Sequence, residues 1–389
     1  MPFSRNWLQA ESMAAPSRKT PSVLHLLPDG SPQGALRTDA LIAAFGKAYR
    51  HAIVAAEPDQ RRWLRSANSG NVSFITDFPP LAGRPLPRLL NRLARAMLPH
   101  DLVVTHGYGC MNAVMARTAF AEAYPVPPLI HHEWDDEGAL GAFARRKRDW
   151  FRRIALGKTA GLVVPDEQLE ERALVAWQQP IGRVKHIADG IDVRAYARKP
   201  RADALPGLVK RTGEVWIGAV DPTGTCAGLP RALDLIADLP ENCHLVWVTA
   251  SNRTQQISDA ADARSLNHRV HNLADMPDLA RFVGLFDIYL STGSETAGRQ
   301  AVLAAMASGV PLITVQANAF ADLPAEENRP FLQGKAEEGL RTFIAQPAVA
   351  RKVGEANRRR ALAEFDGDRT IDAYRRLFES ALAQERRAR

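Results

Sequence analysis

Cysteine is scarce in this sequence. Among 389 residues there are three cysteines, Cys110, Cys226 and Cys243, and no two of them have the Cys-x-x-Cys spacing. Zinc sites and redox dithiols usually carry that spacing, and secreted disulfide scaffolds need a much higher density of cysteine. The sequence therefore argues against all three and favours a protein of the reducing cytoplasm.

Long apolar runs are absent as well. No run reaches the roughly 18 to 20 residues that a helix needs to cross a bilayer, and no internal repeat of fixed period is visible. The first 20 residues hold no continuous apolar stretch, so they make a poor signal peptide. We expect residues 1–20 to form a flexible arm.

The composition is that of an ordinary soluble globular protein, with 46% apolar and 24% charged residues, which excludes collagen-like and disordered chains. A chain of 389 residues is longer than one core usually supports, so we expect two domains. Lysine and arginine number 50 against 43 acidic residues, a net charge of +7. This excess favours acidic partners, whether anionic lipid, nucleotide phosphates or nucleic acid, without choosing among them.

Short apolar runs alternate with amphipathic segments, a pattern typical of βα units and parallel sheets. A first set of strands is predicted at residues 22–27, 51–56, 71–75, 101–105, 128–131, 161–165 and 184–187. The alternation restarts after the polar segment 197–213, with strands predicted at 215–220, 244–249, 270–273, 287–290 and 311–315. Two doubly wound units in succession predict a cleft between them, with ligands bound at the carboxyl ends of the strands.

The loop after the first strand contains Gly30 and Gly34, and a helix is predicted to begin near Ala35. Glycine allows a ligand to approach the backbone, and a helix N-terminus offers free N–H groups to a phosphate. The Gly-x-x-x-Gly spacing is not the dinucleotide fingerprint. A phosphate-binding loop and a plain turn both stay open.

Histidines follow two predicted strands: His106 follows one, and His131 and His132 follow another. A carboxylate beside a histidine can orient it or raise its pKa, which suits acid–base chemistry. The alternative is a hydrogen-bonded histidine in a loop. A metal site built from His131, His132 and Asp135 is disfavoured, because adjacent side chains diverge and ligand sets need wider spacing.

The segment 291–300 follows a predicted strand and opens a helix. It carries Ser294, Glu295 and Arg299 among other hydroxyl side chains. Hydroxyls, a carboxylate and a helix N-terminus together suit a polyhydroxyl or phosphate ligand. An ordinary helix N-cap with an acidic first turn explains the same residues without a ligand.

A basic amphipathic stretch covers residues 143–154. Its basic side chains surround Phe143, Trp150 and Phe151; they are Arg145, Arg146, Lys147, Arg148, Arg152 and Arg153. Such a helix can lie on an anionic membrane, with the aromatic rings at the boundary. An ordinary domain helix with a solvated basic face is the alternative.

Taken together, these segments resemble the glycosyltransferases of the GT-B fold, family 4 type, also called glycosyl transferases group 1. The resemblance extends over most of the chain, from about residue 22 to 385. The matching segments are 23–37, 101–109, 186–196, 287–315 and 354–382. The resemblance implies an α/β fold with two Rossmann-like domains facing a cleft.

The sequence departs from that family at the donor site. The arginine and lysine that usually clamp the donor diphosphate fall on Ala219 and near Ala227. The second of two usual glutamates falls on Ala304, and Glu295 is one residue out of register with the first. Asp189 stands where the family usually has asparagine.

The resemblance implies a glycosyltransferase that moves a sugar from a nucleotide-sugar to a glycan or lipid-linked acceptor with retention, in envelope polysaccharide or glycolipid synthesis. It implies no metal and no other cofactor. His132 is expected to line the acceptor side and Glu295 to hold the donor sugar. The residues expected to bind the donor are Gly30, Gly34, Arg37, His106, Ser294 and Arg299. Either basic groups such as Arg37 and Arg299 replace the missing cations, or the donor is held differently, or catalysis has been lost.

The implied domains are an acceptor domain at 21–196, a linker at 197–213, a donor domain at 214–365 and a closing helix at 366–389 that crosses back. We expect a cytoplasmic protein, peripheral on the inner face of the membrane, with an anionic surface contacted through 143–154. A transferase-like fold that has lost catalysis and acts as a binding protein is the main alternative. Nucleic acid is not an expected partner, because no aromatic platform or recognition module is present.

Overall fold

The computed structural model describes residues 20–28, 32–55, 64, 66, 69–134, 141–221, 224–249, 253–274, 278–292, 295–315, 320 and 322–388. The predicted arm at 1–20 lies outside this part of the chain except for its last residue. None of the helices in these ranges is both long and apolar enough to cross a membrane.

The first sheet has seven parallel strands in the order β3-β2-β1-β4-β5-β6-β7. These strands are β1 Ser22–Leu27, β2 Arg50–Ala55, β3 Val72–Phe74, β4 Leu102–His106, β5 Leu129–His132, β6 Gly161–Val164 and β7 Val184–His186. The helices between them are α1 Pro32–Phe45, α2 Pro87–Met97, α3 Met111–Phe120, α4 Ala142–Ala155 and α5 Glu167–Val175. Strands such as β1 are buried along their whole length because helices cover both faces of a parallel sheet.

The second sheet has five parallel strands in the order β10-β9-β8-β11-β12. They are β8 Val215–Asp221, β9 Cys243–Thr249, β10 Val270–Ala274, β11 Ile288–Ser291 and β12 Leu312–Thr314. The helices that follow in chain order are α6 Leu229–Ala237, α7 Thr254–Asp262, α8 Glu295–Ala307, α9 Arg329–Gln333, α10 Ala336–Ala345, α11 Pro347–Glu364 and α12 Gly367–Ala388. The predicted α/β class with two Rossmann-like sheets is confirmed.

The segment 197–213, predicted as a linker, packs on the second sheet. Leu205 is buried in the core of that sheet. The ammonium group of Lys210 donates to the Leu285 carbonyl at 2.7 Å and to the Asp287 carboxylate at 2.6 Å. The segment is therefore fastened to the strands that follow it, and the domain boundaries themselves stay a prediction.

Helix α12 lies on the first sheet, although it is the last element of the chain. Tyr374, Leu377 and Phe378 share a core cluster with Val23 and Val104 of β1 and β4. The chain thus passes between the sheets a second time before α12, next to the first passage. Two backbone hydrogen bonds of 2.9 Å join the passages, from Ile191 N–H to the Phe365 carbonyl and from Gly367 N–H to the Ile191 carbonyl.

Candidate active site

Two adjacent strands of the first sheet end in histidine. His106 of β4 and His132 of β5 are partners in the strand register, so both rings lie on the same face of the sheet. Their Nδ1 atoms are 3.1 Å apart, and Nε2 of His106 lies 3.2 Å from the Thr38 hydroxyl of α1. The two rings, with centroids 4.6 Å apart, form one hydrogen-bonded unit beneath α1.

Both histidines are neutral because they are fully buried. Burial lowers the pKa of His106 and of His132 well below its usual value, and nearby positive charge, including that of Arg37, lowers it further. A neutral imidazole has one donor and one acceptor nitrogen. Only one of the facing Nδ1 atoms carries a proton, so the tautomer of one ring fixes that of the other.

The same face of the sheet carries a second histidine pair. Nε2 of His25 on β1 lies 3.0 Å from Nδ1 of His51 on β2, and both rings are buried. Burial lowers the pKa of His51 to about 4. Burial and the neighbouring His51 lower the pKa of His25 well below its usual value. Four uncharged histidines therefore lie on this face of the first sheet.

Glycine at position 34 allows α1 to lie against His106. A Cβ atom added to Gly34 would be 3.2 Å from Cβ of His106 and 3.4 Å from Cδ2 of Leu27. Gly34 is also the third residue of α1, where backbone N–H groups have no partner within the helix. Gly34 thus brings a free helix terminus next to the histidine pair.

Charged side chains connect the two sheets beside the histidines. Nη2 of Arg37, on α1, donates to Oδ1 of Asp189, in the loop after β7. The other carboxylate oxygen of Asp189 lies 3.6 Å from Nε of Arg299, on α8. Nη2 of Arg299 donates to Oδ2 of Asp322 at 2.8 Å. Arg37 and Arg299, called here the arginine pair, therefore come from helices that belong to different sheets, and they share one carboxylate.

The arginine pair and Asp189 stay ionised despite their burial. Burial alone would raise the pKa of Asp189, but Arg37 and Arg299 outweigh this and lower its pKa below the usual value. Burial also opposes the charge on Arg37, but the Asp189 carboxylate raises the pKa of Arg37 overall. Buried charges are tolerated when they are paired in this way.

Four buried polar atoms in and beside the arginine pair have no hydrogen-bond partner within the described part of the chain. They are Nη1 of Arg37, Nε of Arg299, Nε2 of His132 and the hydroxyl of Tyr374 on α12. The Tyr374 and His132 rings meet edge to face with centroids 5.2 Å apart. Buried polar atoms are nearly always paired, so this group of unpaired atoms indicates a place for a water or for a polar group of a ligand.

The opposite face at the end of β5 holds a separate ion pair. Glu133 accepts from Nε of Arg152, on α4, at 2.7 Å. Burial would raise the pKa of Glu133, but Arg152 and the neighbouring His131 outweigh it and lower the pKa to about 2. No group of three or more His, Cys, Asp or Glu side chains among the described residues is arranged to hold a metal ion. Asp135, considered above as a ligand, lies outside those residues.

Asp221, the last residue of β8, places a carboxylate in the region where the related family usually has its arginine and lysine. The two oxygens of Asp221 accept from the N–H groups of Gly224 and Cys226 at 3.1 and 2.6 Å. Ala219 is fully buried within β8, and Ala304 is fully buried within α8. Both alanines belong to the core of the second sheet, so neither position faces the cleft with a charge.

Helix α4 presents a mixed apolar and basic surface. Phe143, Trp150 and Ile154 are 84%, 63% and 40% exposed, and their spacing places them on one side of the helix. Exposed basic side chains flank this stripe; they are Arg146, Lys147 and Arg153. We call these six residues the α4 surface.

The predicted α4 interface needs one correction. Phe151 was expected at the boundary, but it is half-buried and lies 6.5 Å from the Tyr108 ring. Arg148 and Arg152 also face inward, over the same ring at 4.3 and 4.7 Å. The spacing of this helix explains the error, because residues 148, 151 and 152 share its inner side.

The structure brings four of the predicted site residues together at the carboxyl ends of β4 and β5 and the start of α8: Arg37, His106, His132 and Arg299. Gly34 lies beside them. Glu295 begins α8 in the same region, but its side chain lies outside the description, as do Gly30 and Ser294. The roles assigned to all of these residues stay predictions.

Sequence reasoning missed the partners that hold these residues. Thr38, Asp322 and Tyr374 gave no signal in the sequence, because each contacts residues far away along the chain. Asp189 was noted only as a departure from the family. Its place shortly after β7, at the carboxyl edge of the sheet, was the one available signal.

No protein-family model matches this chain. The lipopolysaccharide glucosyltransferase WaaG of Escherichia coli K12 is 23% identical over 128 residues, which cover 31% of this chain and 34% of WaaG. The match thus spans about a third of that relative's length.

Solved structures match over nearly the whole chain. HepE of Anabaena in complex with UDP-glucose has a TM-score of 0.70 at 17% identity, covering 92% of this chain and 100% of HepE. A crystal structure of WaaG has a TM-score of 0.59 at 18% identity, covering 90% and 98%. This chain has the GT-B fold.

The GT-B fold does not by itself select an activity. A putative UDP-N-acetylglucosamine 2-epimerase of Listeria monocytogenes matches with a TM-score of 0.55 at 16% identity, covering 91% of this chain and 94% of its own. The resemblance drawn from the sequence is confirmed at the level of the fold. What the GT-B cleft does here depends on the side chains in it.

Proposed function

We propose that this chain is a glycosyltransferase that moves a sugar from a nucleotide-sugar donor to a glycan or lipid-linked acceptor. The observation that carries the proposal is the arginine pair, because two guanidinium groups from opposite sheets meet beside His132 at the carboxyl ends of the strands. The similarity to WaaG and to HepE, whose structure was solved with UDP-glucose, supports a nucleotide-sugar as the donor. Envelope polysaccharide or glycolipid synthesis is the proposed setting.

Negative charge develops on the diphosphate as the bond to the sugar breaks. Fixed cations and backbone N–H groups aimed at that charge stabilise the transition state. The arginine pair supplies the cations, with Nη1 of Arg37 still unpaired among the described residues. Gly34, in the first turn of α1, supplies a backbone N–H.

The other groups divide between donor and acceptor. Glu295, at the start of α8, binds hydroxyls of the donor sugar in this proposal. His132 lines the acceptor side, where a neutral imidazole can accept a hydrogen bond from an acceptor hydroxyl. Retention of configuration and independence from metal belong to the proposal. The anomeric configuration of the product, read by NMR, and activity in the presence of EDTA test these two points.

A screen of nucleotides and nucleotide-sugars by thermal shift tests the donor. A ligand at 100 times its Kd adds about 2.7 kcal/mol of stability, so a true donor raises the Tm clearly. Arg37→Gln should lose that shift, whereas Arg50→Gln, an exposed arginine on β2, should keep it. Release of free sugar or product from the same nucleotide-sugar would establish turnover.

The same measurements distinguish an active glycosyltransferase from the main alternative, a transferase-like fold that acts as a binding protein. Binding without turnover under any acceptor condition would favour a transferase fold that has lost catalysis. Failure to bind any nucleotide or nucleotide-sugar would contradict the proposal and favour a partner protein.

We propose further that the protein lies on an anionic membrane through the α4 surface. Three apolar side chains stand out from the fold with basic side chains on both sides of them, which is the arrangement of helices that lie in a membrane interface. Each basic residue near such a surface adds about 1 kcal/mol of attraction. A peripheral position would bring the cleft to a lipid-linked acceptor.

Vesicle co-sedimentation tests this part of the proposal. The triple variant Arg146→Gln, Lys147→Gln, Arg153→Gln should lose binding to anionic vesicles, and wild-type binding should weaken as salt rises. The matched control removes the same charges from α11 with Arg351→Gln, Lys352→Gln and Arg359→Gln, all exposed. If both triple variants bound anionic vesicles equally, or if wild type did not bind them, the α4 surface would be an ordinary solvated helix face.

A further inference from the structure

The arginine pair is already neutralised within the chain, chiefly by Asp189. Asp189 contacts both arginines, whereas Asp322 contacts Arg299 alone and is 36% exposed. Two guanidinium groups and two carboxylates leave this group with no net charge. A phosphate ligand beside the pair therefore meets less attraction than two free arginines would give.

The Asp189 carboxylate is held in position by its loop. A Cβ atom on the next residue, Gly190, would lie 2.4 Å from the Thr370 hydroxyl of α12. That hydroxyl donates to the carbonyl of Ala188 at 3.2 Å. The loop is thus packed against α12 on both sides of Asp189, and we expect the carboxylate to stay when a ligand enters.

A fixed negative charge discriminates between ligands of different charge. At neutral pH a nucleoside diphosphate carries about one negative charge more than the corresponding nucleotide-sugar, because its terminal phosphate is not esterified and has a second pKa of about 6. Repulsion from Asp189 acts on that extra charge. The same carboxylate therefore lowers the affinity for the nucleoside diphosphate more than the affinity for the intact donor.

We propose that Asp189 is a specificity-determining residue that lowers the affinity of the arginine pair for free diphosphate, so that the site prefers the intact nucleotide-sugar and releases the nucleoside diphosphate product. The inference rests on the proposed function. It names a role for a carboxylate that the transfer reaction itself does not require. Release of product limits the rate of many enzymes, so such a residue favours turnover.

Calorimetry on the full chain with the variant Asp189→Asn tests the proposal. The asparagine oxygen can still accept from Arg37, so the variant removes charge while keeping the shape. We expect UDP and inorganic pyrophosphate to bind about tenfold more tightly, UDP-glucose to gain by a smaller factor, and uridine to bind as before. GDP and GDP-mannose form a parallel pair for a guanosine donor.

Asp368→Asn is the matched control. It removes the same charge from α12, but Asp368 is 73% exposed and pairs with Arg194 at the surface, so no affinity should change. A D189N variant that binds UDP no more tightly than wild type, or that gains equally for UDP and UDP-glucose, overturns the inference. Wild type that binds no nucleotide overturns the proposed function as well, which distinguishes the two failures.

Asp322→Asn provides a second variant should Asp189→Asn fail to fold, since loss of a buried partner leaves arginine charge uncompensated. Asp322 is 36% exposed, so its removal is less disruptive than that of Asp189. The affinity for UDP should rise in this variant too, but by a smaller factor than in Asp189→Asn. No gain in this variant, with wild type binding UDP, also overturns the inference.

Discussion

Arg152 and Arg37 are both buried arginines with a carboxylate partner, but they differ in their surroundings. Arg152 lies between Glu133 and the rings of Tyr108 and Trp177, at 4.7 and 4.8 Å from the ring centroids. Arg37 faces the cleft between the sheets and keeps one nitrogen unpaired among the described residues. At the residue scale, the first is suited to hold the fold and the second to hold a ligand.

The Glu133–Arg152 pair gives a stability prediction. Arg152→Met should lower the free energy of unfolding by about 3 to 5 kcal/mol, because it leaves the buried Glu133 charge without its partner. Adding Glu133→Gln to Arg152→Met should recover part of that loss. Urea unfolding measures both, and Arg153→Met on the exposed side of α4 is the control. A loss below about 1 kcal/mol for Arg152→Met would mean that Glu133 is protonated or solvated.

Glu295 gives a binding prediction. Glu295→Ala should lower the affinity for the nucleotide-sugar several-fold more than the affinity for the nucleoside diphosphate. The reason is that the Glu295 carboxylate binds hydroxyls of the sugar in the proposed function. Each lost hydrogen bond to a charged group is worth about 1.5 to 3 kcal/mol. Calorimetry with both ligands measures the difference. Equal loss for both, or no loss, would remove Glu295 from the sugar site.

At the element scale, the placement of α1 depends on one glycine. Gly34→Val should lower the free energy of unfolding by about 1 to 3 kcal/mol, because its side chain pushes α1 away from His106. Gly34→Val should also lower the affinity for the nucleotide, since the start of α1 moves. Gly182→Val, where an added Cβ meets nothing within 4 Å, is the control. Thermal and chemical unfolding with and without UDP measure both effects. Equal stability and equal stabilisation by UDP in the two variants would contradict the prediction.

The elements themselves could be predicted well from the sequence. The strands begin and end within about two residues of their predicted bounds, since apolar runs between turn residues define them locally. Helix α8 begins at Glu295, within the segment 291–300 that was predicted to open it.

The candidate site could be predicted only in part. Arg37 and Asp189 are 152 residues apart in the chain, and Arg299 lies on α8, which packs on the other sheet. Only the packing of three elements makes them neighbours. Carboxyl ends of strands tell where a site lies in this fold, but not which charges pair within it.

At the scale of the whole molecule, the buried histidines make stability depend on pH. Their pKa values are lowered in the folded chain, for His25, His51, His106 and His132 alike. The contribution of these histidines to the free energy of unfolding is fully present above the pKa of histidine in the unfolded chain, about 6.5. It is lost as the pH falls, because the unfolded chain then binds protons that the folded chain does not.

We expect the free energy of unfolding to drop between pH 7 and pH 5 by about 2 kcal/mol for each of these histidines. Urea unfolding at pH 7, 6 and 5 measures the drop, and His51→Asn should reduce it. The Glu133 carboxylate does not contribute there, since its lowered pKa of about 2 matters only below the usual value of 4.5. A flat profile between pH 7 and 5 would mean that these rings are charged or solvated.

The crossing of α12 onto the first sheet has a consequence during synthesis on the ribosome. Strand β7 is complete about 180 residues before α12 begins. At about 5 to 20 residues per second, the apolar face that includes Val23 and Val104 waits roughly 10 to 35 s for its cover. The nascent chain in that interval is a client for holding chaperones. A chain ending at residue 365 should therefore aggregate or bind ANS, and a peptide of residues 367–388 added in trans should suppress both.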